Sequence, residues 1–443
     1  MRTSPMLRLS IMGVILIALT VPLAMTNAVV GERTSRRDSI ASEVSHDWGG
    51  AQAIAGPVLS VPYGYSWIDA NGRKQTATIR HYVLPESLAI EGTLDPQVRR
   101  RSIFNVLVYT ARLKMRGSFR PPQLRDLQPP PDAVLWGEAT LHLGVADPRG
   151  IARAAEVTWD GRSRGFVPAI AGVGLFDSGV QASADGLGPD RTEPIAFELE
   201  LHLKGTREVR LVPSAGETTV ALASSWPHPS FVGRTPELPR LNEGGFEASW
   251  RVPSFGRGFP SEWTGSESSL AQKLQQQAQA AAFGVALIQP VDIYVQADRA
   301  VKYAVLVILI TFVMAFLWEI TSVVLLHPVQ YIFVGFALCV FYLLLLSLAE
   351  HRGFDQAYAI AAAATILLLA WYWSWVLQGW VQGVLMAIAL SVLYGCLYLL
   401  LRLEDYALLA GSIGVFAMLA LVMFLTRRVD WYQLKLGEGS KAE

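Results

Sequence analysis

Charge is scarce in this chain. Only 17% of its 443 residues are Asp, Glu, Lys or Arg, while 52% are hydrophobic and the mean hydropathy is positive at +0.33. An ordinary soluble domain carries roughly 25% charged residues, so a purely cytosolic globular protein is excluded. The two signs also cancel, at 37 basic and 37 acidic residues. No global field draws the chain to nucleic acid, which is not an expected partner. Cysteine is limited to Cys339 and Cys396, both in apolar runs, which excludes a disulfide framework in any exported part and does not make a metal site. There is no G-x-x-x-x-G-K-[ST] run and no H-E-x-x-H, so nucleotide-driven and zincin chemistry drop out. No catalytic, cofactor-binding or metal residues are expected, and no cofactor.

The few charges are also clustered. Between residues 303 and 426 there are seven, six of them in two patches, Glu350/Arg352/Asp355 and Arg402/Glu404/Asp405, with Glu319 alone. The remainder divides into five apolar spans, about 301–325, 331–349, 357–376, 381–401 and 406–426, each near the roughly 20 residues a helix needs to cross a bilayer core of about 30 Å. A further apolar run, 9–30, follows Arg2 and Arg8. It is either a signal peptide, with Thr26 and Ala28 before the cut, or a retained anchor. Signal h-regions span roughly 7 to 15 residues, so the length favours an anchor over 1–30. Six crossings are then expected. Arg2 and Arg8 at one end, and Arg427, Arg428 and Lys435 in a 427–443 tail, place both termini in the cytoplasm. Trp371, Trp373, Trp375 and Trp380 read as an aromatic belt at that interface, and the lipid bilayer is an expected partner.

From 31 to 300 the composition changes to a charged, Pro- and Gly-punctuated sequence. Residues 197–204 and 111–116 alternate apolar and charged side chains, the period of half-buried strands. Asn71-Gly72 and Asp160-Gly161 are hairpin turn signals, and Pro62, Pro85, Pro96, Pro148 and Pro213 end runs rather than interrupt them. Residues 266–282, rich in Gln and Ala with Leu270 and Leu274 four apart, form a short helix or a flexible connector. The expected fold is a multi-pass α-helical membrane protein. Its large all-β, sandwich-like domain (31–300) is inserted between the first and second transmembrane helices and faces a periplasm-like space; a five-helix bundle (301–426) follows.

Few residues suggest chemistry. Gly161-Arg162-Ser163-Arg164-Gly165 fits G-x-S-x-G, but its lead-in reads as a hairpin and Pro168 blocks an immediate helix, contrary to a nucleophile elbow. The seven histidines are scattered, and His142 and His202 sit in alternating patterns as strand-face residues. Arg99, Arg100, Arg101, Arg112, Lys114, Arg116 and Arg120 either face anionic headgroups or envelope polymers, or form the solvated face of one long strand, the reading preferred here. Glu319 is the main candidate, because an ionised carboxylate in hydrocarbon needs a partner or water. It is either a proton or ion relay, or a carboxylate bonded to a neighbouring helix or to His327, the second candidate. Gly379 and Gly383 match GxxxG, and Ser391 and Gly395 repeat the small-residue spacing, as for close helix packing.

Several segments resemble one family. They are Gly56-Pro57-Val58-Leu59-Ser60-Val61-Pro62-Tyr63, Leu84-Pro85-Glu86-Ser87-Leu88, Val108-Tyr109-Thr110-Ala111, Pro229-Ser230-Phe231 and Gly245-Phe246-Glu247-Ala248-Ser249-Trp250. In the membrane part they continue through Phe283-Gly284-Val285, Pro290-Val291-Asp292-Ile293-Tyr294, Arg299-Ala300-Val301-Lys302-Tyr303-Ala304 and His327-Pro328-Val329-Gln330-Tyr331 to Glu350-His351 and Ala357-Tyr358. They resemble the CreD family of bacterial inner-membrane proteins, also called cell envelope integrity proteins. The resemblance implies an inner-membrane location and a role in envelope properties such as colicin tolerance or the response to cell-wall-active drugs. It carries no catalytic residues. The expectation is a non-enzymatic envelope protein acting through its exported domain on unidentified envelope components. The alternative is a proton- or ion-coupled transporter or channel using Glu319, and a membrane-linked hydrolase ranks third.

Overall fold

The alternating segments of the middle region pair with one another. A computed structural model describes residues 5–124, 127–170, 173–237, 239–242, 244–265, 268–289, 292–321, 326–403 and 407–427. In it Ile195–Thr206 lies antiparallel to Phe104–Phe119, with Glu198 opposite Arg116 and Glu200 opposite Lys114. Phe197, Leu199, Leu201 and Leu203 point the other way and are at most 3% exposed. Each such side chain contributes about 1.5–3 kcal/mol by leaving water, so the period-2 pattern fixes which face is core.

Two sheets result among the described residues. One has eight strands, in the order Arg240–Asn242, Gly245–Pro253, Glu217–Ser224, Ser87–Arg101, Phe104–Phe119, Ile195–Thr206, Glu156–Trp159, Arg162–Gly165. The other has ten, built around the 17-residue strand Gln52–Ile68, which pairs with Lys74–Val83, Thr140–Val145 and, in parallel, Glu208–Leu211. One core joins Leu59 and Val61 of the ten-stranded sheet to Leu113, Met115 and Leu201 of the eight-stranded one, the layered packing of a sandwich. The Asp160-Gly161 turn has φ of 50° and 77° at its two central residues, the left-handed pair a two-residue hairpin requires. The basic stretch belongs to two strands rather than one long strand, because Ser102 (φ 58°) turns the chain between Ser87–Arg101 and Phe104–Phe119.

Eight helices are described: α1 (Pro5–Trp48), α2 (Ser268–Ala281), α3 (Ile293–Lys302), α4 (Ala304–Thr321), α5 (Pro328–Arg352), α6 (Phe354–Val376), α7 (Trp380–Arg402) and α8 (Ala407–Thr426). Of the 266–282 segment, for which helix and connector are the two expectations, Ser268–Ala281 forms α2, held because Leu274 and Ala278 pack with Val173 and Trp263. The chain divides into two compact units, residues 39–290 and residues 1–38 with 291–443. α1 runs past residue 30, where its apolar sequence ends, because 31–48 contains no Pro and only one Gly. It stops at Gly49, whose φ of 111° suits a helix C-terminus.

Within the helical unit α1 buries one stripe, Met12, Ile15, Leu19, Leu23, Thr26 and Val30, at steps of three and four. Its other side, with Val14, Ile17, Val21 and Met25, is apolar and exposed. A helix apolar all round suits a membrane, not water. Four described helices are long and apolar enough to cross one, α1, α5, α6 and α7, and α3 with α4, bent by 43° at Tyr303, gives a fifth if counted as one span. Residues 322–325 of the expected 301–325 span, and the tail from 428 onward, lie outside the described residues.

Candidate functional site

Glu319 lies near the C-terminal end of α4, and its side chain is 3% exposed. Burial strips such a carboxylate of water, and the protein has to replace that hydration. Arg8 does so, with Nη1 2.7 Å from Oε1, while the Tyr331 hydroxyl donates to Oε2 at 2.9 Å. The Tyr331 ring meets the Phe312 ring edge-on at 5.5 Å. Both carboxylate oxygens are therefore engaged, one by an ion pair across α1 and α4 and one by α5. His327, proposed as a partner for Glu319, acts elsewhere: its ring accepts from Val329 N at 3.3 Å, and Gln330 returns a bond to its backbone N–H, capping α5. Arg8 and Tyr331 were missed as site residues. An isolated carboxylate demands a cation, and Arg8 was read only as a topology signal.

A second charged group holds a different part of α1. Arg37 pairs with Asp292 and lies over the Tyr294 ring, Arg33 sits 3.8 Å from Glu350, and the Tyr294 hydroxyl donates to Glu350 at 3.2 Å. Arg8 and Arg33 are 25 residues apart, about 37 Å of helix. The two charged patches of the sequence also meet, because Arg402 of α7 bonds Asp355 of α6 at 2.6 Å and the Tyr398 hydroxyl joins them.

The family model described as "Inner membrane protein CreD" matches residues 4–432. The chain belongs to the CreD family. Inner membrane protein CreD of Escherichia coli (strain K12) is 32% identical over 434 residues, 96% of this chain and 93% of that protein. The segments quoted above as carrying the CreD resemblance lie inside the matched region.

In the β unit of this CreD-family chain, Ser60 Oγ is 2.8 Å from His142 Nε2, the spacing of a nucleophile and its base. Ser60 is 0% exposed, so the pair presents no nucleophile to a substrate. Burial, reinforced by the Arg80 cation, lowers the His142 pKa to about 4. Unfolded His142 binds its proton near pH 6.5, so its stabilising effect is full above that value and is lost as pH falls toward 4. The protein is expected to lose about 2 kcal/mol between pH 7 and 4.5 from this residue. Thermal unfolding at the two pH values should show a smaller drop in His142→Asn.

The G-x-S-x-G serine lies on the strand Arg162–Gly165, and its hydroxyl donates to Glu156 across the hairpin at 2.8 Å. Part of the basic stretch faces acids: Lys114 and Arg116 lie 2.9 and 3.3 Å from Glu198 and Arg101 lies 2.5 Å from Glu43, whereas Arg99 stacks on Trp48 and Arg100 bonds the Ser102 carbonyl. Arg120 pairs with Glu86. Among the described residues, no group of three or more His, Cys, Asp or Glu could hold a metal ion.

Proposed function

We propose that this is a multi-pass protein of the bacterial inner membrane that supports envelope integrity without catalysing a reaction, through contacts of a periplasmic β domain with other envelope components. The observation that carries the reading is the division of the chain into a charged β unit and a helical unit whose outer surface is apolar. Ile17, Leu367 and Trp375 are each at least 70% exposed, which hydrocarbon accommodates and water does not. The name of the Escherichia coli relative supports the compartment. Six crossings follow if α3 with α4 is one span and α8, 20 residues without a charged side chain, is the last. Trp371, Trp375 and Trp380 are exposed while Trp373 is buried, which suits three of them to the cytoplasmic interface.

The non-enzymatic reading draws support from the polar groups brought together, Glu319 with Arg8 and Tyr331, and Ser60 with His142, because they are buried and satisfied by one another. The proton- or ion-coupled transporter ranks second, since a relay group has to exchange its partners and both oxygens of Glu319 are engaged, by Arg8 and by Tyr331. Topology is tested by alkaline phosphatase fusions. Enzyme fused after Gly150 should be active and enzyme fused after Arg428 inactive, and the reverse at either site refutes the orientation. Function is tested by complementing a deletion strain challenged with a cell-wall-active drug, where the full chain should restore growth and the helical unit without residues 39–290 should not.

A further inference from the structure

Two phenol hydroxyls in the core of the helical unit have no hydrogen-bond partner among the described residues, those of Tyr342 on α5 and Tyr394 on α7. Each residue is 1% exposed. They flank a single ring, Phe341, whose centroid is 4.8 Å from that of Tyr342, 4.6 Å from Tyr394 and 5.6 Å from Tyr358 of α6. Tyr358 gives its hydrogen to the Tyr394 carbonyl at 2.6 Å, which leaves its oxygen free to accept. The thiol of Cys339, one turn before Tyr342, is also buried. Phenylalanine would fill the same volumes with no polar atom to desolvate, so two orphaned hydroxyls oppose folding unless something bonds them.

We infer that the hydroxyls of Tyr342 and Tyr394 hold bound water in the core of the bundle. Leaving both groups unbonded costs more than immobilising a water molecule, which returns nearly the enthalpy of a direct bond. The ligand has to be small, because both tyrosines are almost completely buried. It also has to accept a hydrogen bond from a phenol while donating one in return, and water does both. Tyr342 lies eight residues before Glu350, about 12 Å along α5. This hydrated point is separate from Glu319, whose partner Tyr331 lies eleven residues further back.

The test is microsecond X-ray radiolysis of the full-length protein in nanodiscs, read by mass spectrometry, since bound water generates hydroxyl radicals where bulk water does not reach. Tyr109 is the control: it is 0% exposed, and its hydroxyl donates to the Glu208 carbonyl at 2.7 Å. Tyr342 and Tyr394 should each be hydroxylated at least about threefold faster than Tyr109. In a second measurement, Tyr342→Phe and Tyr394→Phe should melt no higher than wild type, because each variant removes a partner from a water rather than an orphan from hydrocarbon. Labelling of either tyrosine at the rate of Tyr109, or a rise of more than about 2 °C in either variant, overturns the inference.

Discussion

Glu319→Gln is expected to lower the stability of the detergent-solubilised protein by about 2 kcal/mol, and Arg8→Gln by a similar amount. Removing one member of a fully buried ion pair costs roughly 3–5 kcal/mol, and the 20% exposure of the Arg8 side chain reduces that figure. The amide at 319 can still accept from Tyr331, so the loss comes mainly from the stranded Arg8 cation. Arg8→Leu with Glu319→Leu together should recover most of the stability, because no charge is left without a partner. The exchange Arg8→Glu with Glu319→Arg separates the two functional readings. If the pair fastens α1 to α4, the exchanged protein should accumulate in the membrane and complement the deletion strain. If the carboxylate at 319 carries protons or ions, it should accumulate and fail to complement. Immunoblots of membranes and survival on a cell-wall-active drug give both readouts, and stable but inactive exchanged protein moves the transporter to first place.

Glu319 is legible in the sequence, whereas its partners are not. An isolated acid in an apolar run is visible by composition alone, and so is the conclusion that it needs company. The partner is not visible, because Arg8 is 311 residues away and serves equally well as a positive flank for orientation. His327 was the near-sequence choice, but a residue directly before Pro328 at the start of a helix is well placed to cap it. The β unit was more transparent. Residues 197–204 and 111–116 announced strands by alternation, and Asp160-Gly161 announced its hairpin, because both signals are local. Which strands pair is a long-range property, so the two sheets and the parallel pairing of Glu217–Ser224 with Ser87–Arg101 could not be read off in advance. The same holds for the turn at Ser102, which carries no Gly or Pro.

The small-residue motifs of α7 were legible as spacing but not as contact, and they should behave differently when filled. A β-carbon on Gly383 would stand 2.7 Å from the Ala370 carbonyl oxygen and 2.8 Å from Ser374 Cβ. These atoms belong to α6 or are fixed directly to it, so no side-chain rotation relieves the overlap and the two helices must separate. Gly395, in the second match, has nothing within 4 Å of such a carbon, and Ser391 is exposed, so that pair is not a packing site within the described residues. Gly383→Leu is therefore expected to cost about 3 kcal/mol, the upper end for overpacking a closed interface. It should reduce the yield of monodisperse protein and lower its melting temperature, while Gly395→Leu should leave both unchanged. Gly383→Ala should fall between Gly383→Leu and wild type, because its single methyl meets the same carbonyl without the further branch. Equal loss in Gly383→Leu and Gly395→Leu would show that added bulk in α7, rather than its approach to α6, is what the fold rejects.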